Sequence, residues 1–259
     1  MKTTAIIQAR MGSTRLPGKV LFEVQEKPLL GYMLDRLSVS KEIDQIIIAT
    51  SDDKLDDPIV TYTSNYGYEV FRGSQNDVLD RYYQAANSQD IKPDYIIRLT
   101  ADCPLIDPII IDEIVNDIKD SSFDFISNSE PLPSSWPDGM DVSVMSFEAL
   151  QKAWKIAKKP SEREHVTFIF WDKDANFKSH RVECSEDLSS YRLTVDYKED
   201  FELIKKILNN FLDDDKDIRF VKMNEIIEFL LSNPDFIKIN NQYARGEGWK
   251  DSLELDKLV

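Results

Sequence analysis

Cysteine and histidine are scarce in this sequence of 259 residues, with only two of each. Two cysteines, Cys103 and Cys184, argue against a disulfide framework and against a structural zinc site. Two histidines, His165 and His180, are too few for a histidine-rich metal centre. Any metal in this protein would therefore be held mainly by oxygen ligands.

Long apolar runs and an excess of positive charge are also lacking. The sequence has no run of 18 apolar residues and no signal-peptide pattern, which predicts a cytoplasmic protein without a membrane partner. A net charge of −15 and a pI near 4.6 argue against general nucleic-acid binding and against anionic membrane surfaces. The length and the 42% hydrophobic content suffice for one large α/β domain or two small ones.

The one basic stretch lies at the start of the chain, where residues 1–22 contain four cations and no acid. An apolar run at residues 5–7 predicts a short buried strand that leads into a loop. The loop contains cations, hydroxyl residues and glycines that suit an anion: Arg10, Gly12, Ser13, Thr14, Arg15, Gly18 and Lys19. These residues predict a triphosphate-binding loop after the first strand of an α/β sheet. A solubilising loop with scattered bases is the alternative.

Two common nucleotide-binding motifs do not fit this loop. A Walker loop has four residues between its glycines and Ser or Thr after its Lys. Here five residues separate Gly12 from Gly18, and Val20 follows Lys19. The dinucleotide fingerprint GxGxxG is absent, so the loop belongs to neither class.

Strand and helix patterns alternate through the first half of the chain. Predicted strands at 45–50, 68–71 and 94–99 follow the first one, and predicted helices at 28–37, 59–66, 76–87 and 108–119 lie between or after them. We expect Asp107 to cap the last of these helices and Pro108 to open it. This alternation predicts a mostly parallel central sheet with helices on both faces.

The second half of the chain is less regular. Its predicted strands are 123–127, 141–145, 177–184 and 191–195, and its predicted helices are 147–157, 200–211 and 223–231, with a long loop at 128–140. No stretch has the composition of a linker. We therefore expect a single domain over residues 1–259, with parts at about 1–120, 121–195 and 196–259.

Two aspartates follow predicted strand ends and are candidate metal ligands. Asp102 comes after the 94–99 strand and Asp196 after the 191–195 strand, so both are expected at the ligand-binding edge of the sheet. Two carboxylates beside a triphosphate suit Mg²⁺, which completes its coordination with phosphate and water. A turn-forming role for Asp102 and a helix cap at Asp196 are the alternatives.

Several stretches resemble the cytidylyltransferases that activate acidic sugars. Residues 8–19 are similar to the opening of those enzymes, and residues 13–19, STRLPGK, resemble the triphosphate loop of the deoxy-manno-octulosonate enzymes. The rest is most similar to the spore-coat polysaccharide biosynthesis protein F group of the acylneuraminate cytidylyltransferases. The matching stretches, in chain order, are 71–82, 98–104, 137–142, 162–167, 192–196 and 245–249.

The resemblance implies a Rossmann-like (GT-A-like) nucleotidyltransferase, often a homodimer, that joins CTP to a small anionic acceptor and releases pyrophosphate. Residues 1–120 would bind the nucleotide and 121–195 the acceptor and the dimer partner, while 196–259 would form C-terminal helices. Arg10, Lys19 and Asp102 would be catalytic, and Asp102 and Asp196 would hold Mg²⁺. The expected nucleotide-binding residues are Ala9, Arg10, Gly12, Ser13, Arg15, Lys19, Gly73, Ser74 and Asp102.

The resemblance places a second group of residues around the acceptor: Asp138, Gly139, Asp141, Glu162 and His165. We add Arg192, which either meets an anionic acceptor or pairs with a local acid. His165 either contacts the acceptor or is a packed structural histidine, and the spacing of Glu162, His165 and Ile169 suggests one helix face. These segments do not match the octulosonate or neuraminate enzymes residue by residue, so the acceptor stays open.

In the expected reaction an acceptor oxygen attacks the α-phosphorus of CTP, and the protein positions the reactants and stabilises charge. No protein general base is evident. A nucleotide-sugar-dependent glycosyltransferase is one alternative, although residues 100–102 lack the first Asp of an Asp-x-Asp motif. A non-catalytic nucleotide-binding relative is the other.

Overall fold

The apolar strands form one seven-stranded sheet in the computed structural model, which describes residues 1–258. The strands of the chain are β1 (Thr3–Gln8), β2 (Glu23–Val24), β3 (Lys27–Pro28), β4 (Gln45–Ser51), β5 (Glu69–Gly73), β6 (Tyr95–Thr100), β7 (Phe125–Ser127), β8 (Ser143–Ser146) and β9 (Ser179–Arg181). The sheet order is β5-β4-β1-β6-β8-β7-β9, and β2 and β3 form a separate hairpin. Only β8 pairs antiparallel to its neighbours in the large sheet.

Both faces of the sheet are covered because side chains alternate along each strand. On one face Ile7 packs with Ile48 and Leu99, whereas Ile6 and Ile47 pack into the core of the other face. The helices are α1 (Leu29–Leu37), α2 (Asp57–Asn65), α3 (Val78–Asn87), α4 (Pro108–Lys119), α5 (Phe147–Ile156), α6 (Pro160–His165), α7 (Lys198–Asp213), α8 (Met223–Ser232), α9 (Pro234–Ile237) and α10 (Lys250–Leu255). Helices α1, α4, α7 and α8 supply the first core, and α3 and α5 the second.

This architecture confirms the predicted α/β class with a mostly parallel sheet and helices on both faces. Helix α4 begins at Pro108 with the Asp107 side chain accepting from the Ile109 amide, as the sequence predicted. Residues 128–140 contain no helix or strand, which confirms the predicted loop. Strands from 1–120 and from 121–195 lie in the same sheet. None of the helices described combines the length and apolar character needed to cross a bilayer.

The predicted strand at 191–195 is wrong. Its backbone hydrogen bonds go to loops instead of a neighbouring strand: the Leu193 amide donates to the Asp138 carbonyl at 2.6 Å and the Val195 amide to the Asp102 carbonyl at 2.8 Å. Only an isolated bridge joins Asp138 to Arg192. The 177–184 strand is shorter than predicted, at Ser179–Arg181.

The predicted helix face through Glu162, His165 and Ile169 is also wrong. Helix α6 ends at His165 because Val166 adopts a positive φ of 65°. A separate 3₁₀ turn, Phe168–Trp171, then contains Ile169. The three side chains therefore do not share one continuous helix.

Candidate active site

The basic loop follows the carboxyl end of β1, and the buried aspartate Asp56 fixes its start through a hydrogen bond. Asp56 accepts from the Met11 amide at 2.7 Å and from the Ser51 amide at 3.1 Å. Gly18 takes φ +74°, a conformation that strains other residues, and its amide bonds the Met11 carbonyl at 2.9 Å. The one-turn helix Lys19–Leu21 starts directly after it. This turn buries the Lys19 side chain and directs its ammonium toward the sheet edge.

Lys19 lies between the two predicted metal ligands. Its Nζ is 2.9 Å from Asp102 Oδ2 and 2.9 Å from Asp196 Oδ1. Asp102 follows β6, as predicted, and its carbonyl accepts from Val195. That backbone bond brings Asp196 beside Asp102 although no strand precedes Asp196. The structure thus unites Lys19, Asp102 and Asp196 at the edge where the parallel strands end.

Asp196 is the most heavily neutralised carboxylate of this group. Besides Lys19, it pairs with Arg15 at 2.6 Å and with Arg192 at 3.0 Å. Burial would raise the pKa of Asp196, but Lys19 and Arg15 overcome it and hold that pKa well below its usual range. Burial likewise opposes the charge of Lys19, and the two carboxylates raise its pKa. Lys19, Asp102 and Asp196 are therefore all charged at neutral pH.

Two adjoining cavities surround this charge cluster. A central cleft of about 480 Å³ includes Arg10, Arg15, Asp102 and Asp196 in its wall. A second cavity of about 440 Å³, which we call the basic-loop cavity, adjoins it and is lined by Ser13, Arg15 and Lys19 among others. Arg15 also lies over the Tyr197 ring, with its guanidinium carbon 5.3 Å from the ring centroid. Cations thus concentrate at the junction of the two cavities.

Four predicted nucleotide-binding residues lie outside the cavity walls. Ala9 is buried, and its amide donates to the Ala49 carbonyl at 3.2 Å. Gly12 is exposed in the loop. Gly73 ends β5, and the Ser74 hydroxyl accepts from the Asp77 amide at 3.0 Å within its own turn. The cleft wall beside this turn is formed by Gln75 and Asn76 instead.

The acceptor side of the cleft is built on an ion-pair network. Arg192 Nη1 is 2.6 Å from Asp138, and its Nε is 2.9 Å from the fully buried Asp200. Arg192 therefore pairs with local acids, which is one of the two roles left open by the sequence. Arg245, from the C-terminal tail, pairs with Asp141 and donates to the Trp136 carbonyl at 2.9 Å. Burial and the Asp141 carboxylate raise the pKa of Asp138 to about 7, against Arg245 and Arg192.

Three further acceptor predictions have different outcomes. His165 lines the cleft, and its Nε2 is 2.7 Å from the Ser252 hydroxyl. Gly139 is absent from the cleft wall and takes φ +102°, where a Cβ would lie 2.5 Å from the Leu193 carbonyl carbon. The Glu162 carboxylate accepts from the amides of Lys158 and Lys159 at 3.0 and 3.1 Å. Gly139 and Glu162 therefore have structural roles, whereas His165 both lines the cleft and bonds the tail, and its contact with the acceptor stays a prediction.

Sequence reasoning missed several charged side chains in the cleft, among them Arg98 and Glu130. Arg98 lies in β6 and reaches the cleft, and within residues 1–258 its guanidinium makes no ion pair while its buried Nε has no hydrogen-bond partner. Glu130 is 5% exposed and its Oε2 is also without a partner. An arginine within the otherwise apolar run YIIRLT was the available signal for Arg98. Nothing in the local pattern pointed to Glu130.

The carboxylates of the site are the candidate ligands for a metal ion. Residues 1–258 contain no group of three His, Cys, Asp or Glu side chains placed to hold one. The Asp102 and Asp196 carboxylates nevertheless both contact one cation, the Lys19 ammonium, which lies between them. Two carboxylates suit a divalent ion that keeps phosphate and water ligands. The residues therefore fit such an ion once Lys19 has moved away.

Comparison with known proteins identifies the family. The family model described as cytidylyltransferase matches residues 4–226. This chain belongs to the cytidylyltransferase family. The spore coat polysaccharide biosynthesis protein SpsF of Bacillus subtilis is 36% identical over 89% of this chain and 94% of that protein. A solved cytidylyltransferase from Leptospira borgpetersenii has a TM-score of 0.83 at 36% identity and covers 92% of this chain and 97% of its own.

The name of a more distant relative includes the sugar on which that relative acts. The 8-amino-3,8-dideoxy-manno-octulosonate cytidylyltransferase of Shewanella frigidimarina is 29% identical over 74% of this chain and 70% of its own. These matches confirm the resemblance and the Rossmann-like nucleotidyltransferase fold, and they identify the chain as a CTP-using enzyme. They favour neither the glycosyltransferase alternative nor the non-catalytic one.

Proposed function

We propose that this cytidylyltransferase transfers CMP from CTP to a small anionic, sugar-like acceptor and releases pyrophosphate, in the biosynthesis of surface polysaccharide or glycan precursors. The reaction depends on Mg²⁺. The observation that carries the proposal is the convergence of Lys19, Arg15, Asp102 and Asp196 at the end of β1 and β6, beside a cavity lined by the basic loop.

In this reaction Arg10, Arg15 and Lys19 bind the β- and γ-phosphates and stabilise the charge that develops on pyrophosphate. Asp102 and Asp196 would hold the magnesium ion. When bound, that ion supplies charge neutralisation at the phosphates and acidifies a neighbouring hydroxyl. The acceptor oxygen forms a bond to the α-phosphorus as the bond to pyrophosphate breaks.

The acceptor occupies the other end of the central cleft. Support comes from the unpaired Arg98 guanidinium, which suits an anionic group, and from His165, which burial and the cations Arg98 and Arg10 keep neutral with a pKa of about 4. Asp138, Asp141 and Arg245 form the floor of this end. They position Arg192 and hold the tail against the cleft.

The test is pyrophosphate release from CTP and Mg²⁺ with a panel of sugar acids, including 3-deoxy-manno-octulosonate and 8-amino-3,8-dideoxy-manno-octulosonate. Lys19→Ala should lower kcat by about two to three decades, because one stabilising charge commonly contributes a few kcal/mol to the barrier. An unchanged melting temperature shows that the variant is folded. Near-normal turnover by folded Lys19→Ala would contradict the assignment.

A homodimer and a cytoplasmic location complete the proposal. The homodimer is expected from the family resemblance, and the cytoplasmic location from the composition and the lack of a signal-peptide pattern. Analytical ultracentrifugation measures the first directly, and a mass of one chain at micromolar concentration would contradict it.

A further inference from the structure

A third cavity of about 330 Å³ opens beside the acceptor end of the central cleft. Glu130 and Trp249 line both spaces, so the two cavities adjoin one another at these side chains. Neither residue lines the basic-loop cavity, so this third space lies on the side away from the proposed triphosphate site. We refer to it as the aromatic cavity, after Phe168, Trp171 and Trp249 in its wall.

The wall of the aromatic cavity offers mainly apolar contact. Phe168 and Trp249 meet edge to face with ring centroids 5.2 Å apart, and Leu132 and Leu253 complete the apolar part of the wall. A cavity of about 150 Å³ lined by apolar side chains can hold a benzene molecule, so this space is large enough for a group of several carbon atoms. Water can form few hydrogen bonds with the apolar part of this wall, whereas transfer of an apolar group from water to it is favourable.

Most of the charged side chains around this cavity already have an ion-pair or hydrogen-bond partner. Lys159 bonds Asp172 at 2.5 Å, and Asp256 accepts from the Ser161 amide at 2.9 Å. Glu162 caps α6. The exception is Glu130, which is buried with an unpartnered Oε2 at the boundary with the central cleft. A ligand that crosses this boundary would meet a hydrogen-bond acceptor first and an apolar wall beyond it.

We infer that the aromatic cavity is a subsite for an apolar substituent of the acceptor, attached through a group that donates a hydrogen bond to Glu130. The inference rests on the proposed function and names the chemistry of its acceptor. Leu253 and Trp249 belong to the tail, beyond residues 4–226, which the family model covers. The tail therefore contributes to selectivity for the substituent, together with Phe168 and Trp171.

The test compares two probes that differ in one substituent: 8-amino-3,8-dideoxy-manno-octulosonate and its N-butanoyl derivative. The amide N–H supplies the donor and the alkyl chain the apolar group. We expect kcat/KM for pyrophosphate release to be on the order of tenfold higher or more for the N-butanoyl compound, the usual effect of filling a hydrophobic pocket. Leu253→Trp, which fills the half-exposed mouth of the cavity, should abolish that preference.

Leu231→Trp is the matched control, because Leu231 is 62% exposed on α8 and does not line the cavity. It should keep the preference. Equal kcat/KM for the two probes, a preference that survives Leu253→Trp, or no reaction with either probe while CTP still binds would each overturn the inference. Loss of CTP binding itself would contradict the proposed function instead, so the two failures are distinguishable.

Discussion

At the scale of single residues, the cations that we propose to bind phosphate are paired with the protein's own carboxylates. Lys19 is within 2.9 Å of both Asp102 and Asp196, and Arg15 is 2.6 Å from Asp196. If these cations are to bind phosphate, their ion pairs with the carboxylates must first break. A metal ion on the carboxylates and a nucleotide on the cations should therefore favour one another, and by linkage each raises the affinity of the other.

This arrangement predicts an unusual effect of Asp196→Asn. The variant removes one negative charge from Lys19 and Arg15 without changing side-chain shape. In EDTA it should bind CTP about tenfold more tightly than the wild type, a difference of about 1.4 kcal/mol. Isothermal titration calorimetry measures both affinities.

Asp214→Asn is the charge-matched control, because it removes the same charge at an exposed turn after α7. It should leave CTP affinity nearly unchanged. Weaker metal-free CTP binding by Asp196→Asn than by the wild type would show that the carboxylate does not compete for these cations.

At the scale of secondary-structure elements, one buried aspartate joins two helices. Asp107 Oδ1 accepts from the Ile109 amide of α4 at 2.9 Å, and Oδ2 accepts from the Met223 amide at the start of α8 at 2.7 Å. The sequence predicted the first cap because Asp before Pro is a local signal. It could not predict the second, since Met223 is 116 residues away.

Asp107→Ala should therefore cost more than the loss of one cap. Two helix ends lose their acceptor at a buried site, so we expect the free energy of unfolding to fall by about 2–4 kcal/mol. Urea denaturation measures it. Asp217→Ala is the control, because Asp217 caps only an exposed turn, and its cost should be below about 1 kcal/mol. Equal costs would contradict the double cap.

The contrast between local sequence signals and contacts distant in sequence also explains which site residues could be predicted. Lys19 and Asp102 were predicted because each stands at a fixed distance from a strand end in the local pattern. Arg245 and Glu130 were missed because loops and the tail bring them to the cleft through contacts distant in sequence. Asp196 was predicted for a partly wrong reason: a backbone bond to Asp102, rather than a strand, positions it.

At the scale of the whole molecule, the C-terminal tail lines the cleft and contacts His165, whose titration makes stability depend on pH. His165 bonds Ser252 of α10, and burial together with Arg98 and Arg10 lowers its pKa to about 4. The unfolded histidine, with a pKa near 6.5, takes up protons that the folded one excludes. The stabilisation is therefore complete above pH 6.5 and is lost as the pH falls toward 4.

His165→Gln removes this titration. Between pH 7 and pH 5 the wild type should lose on the order of 1–2 kcal/mol more stability than the variant. Asp138 acts in the opposite direction, since its pKa is raised to about 7, but it is present in both proteins. Urea denaturation of the two proteins at pH 7 and pH 5 gives the difference. Parallel losses would show that His165 is protonated in the folded protein.

The most direct test of the whole account is a calorimetric titration of the wild-type protein with CTP, UTP, GTP and ATP, each with and without Mg²⁺. We predict that CTP binds most tightly and that Mg²⁺ strengthens its binding at least about tenfold, the size of a typical coupling between two sites. Equal affinity for all four nucleotides, or no effect of Mg²⁺ on CTP, would contradict a CTP site built on Lys19, Asp102 and Asp196.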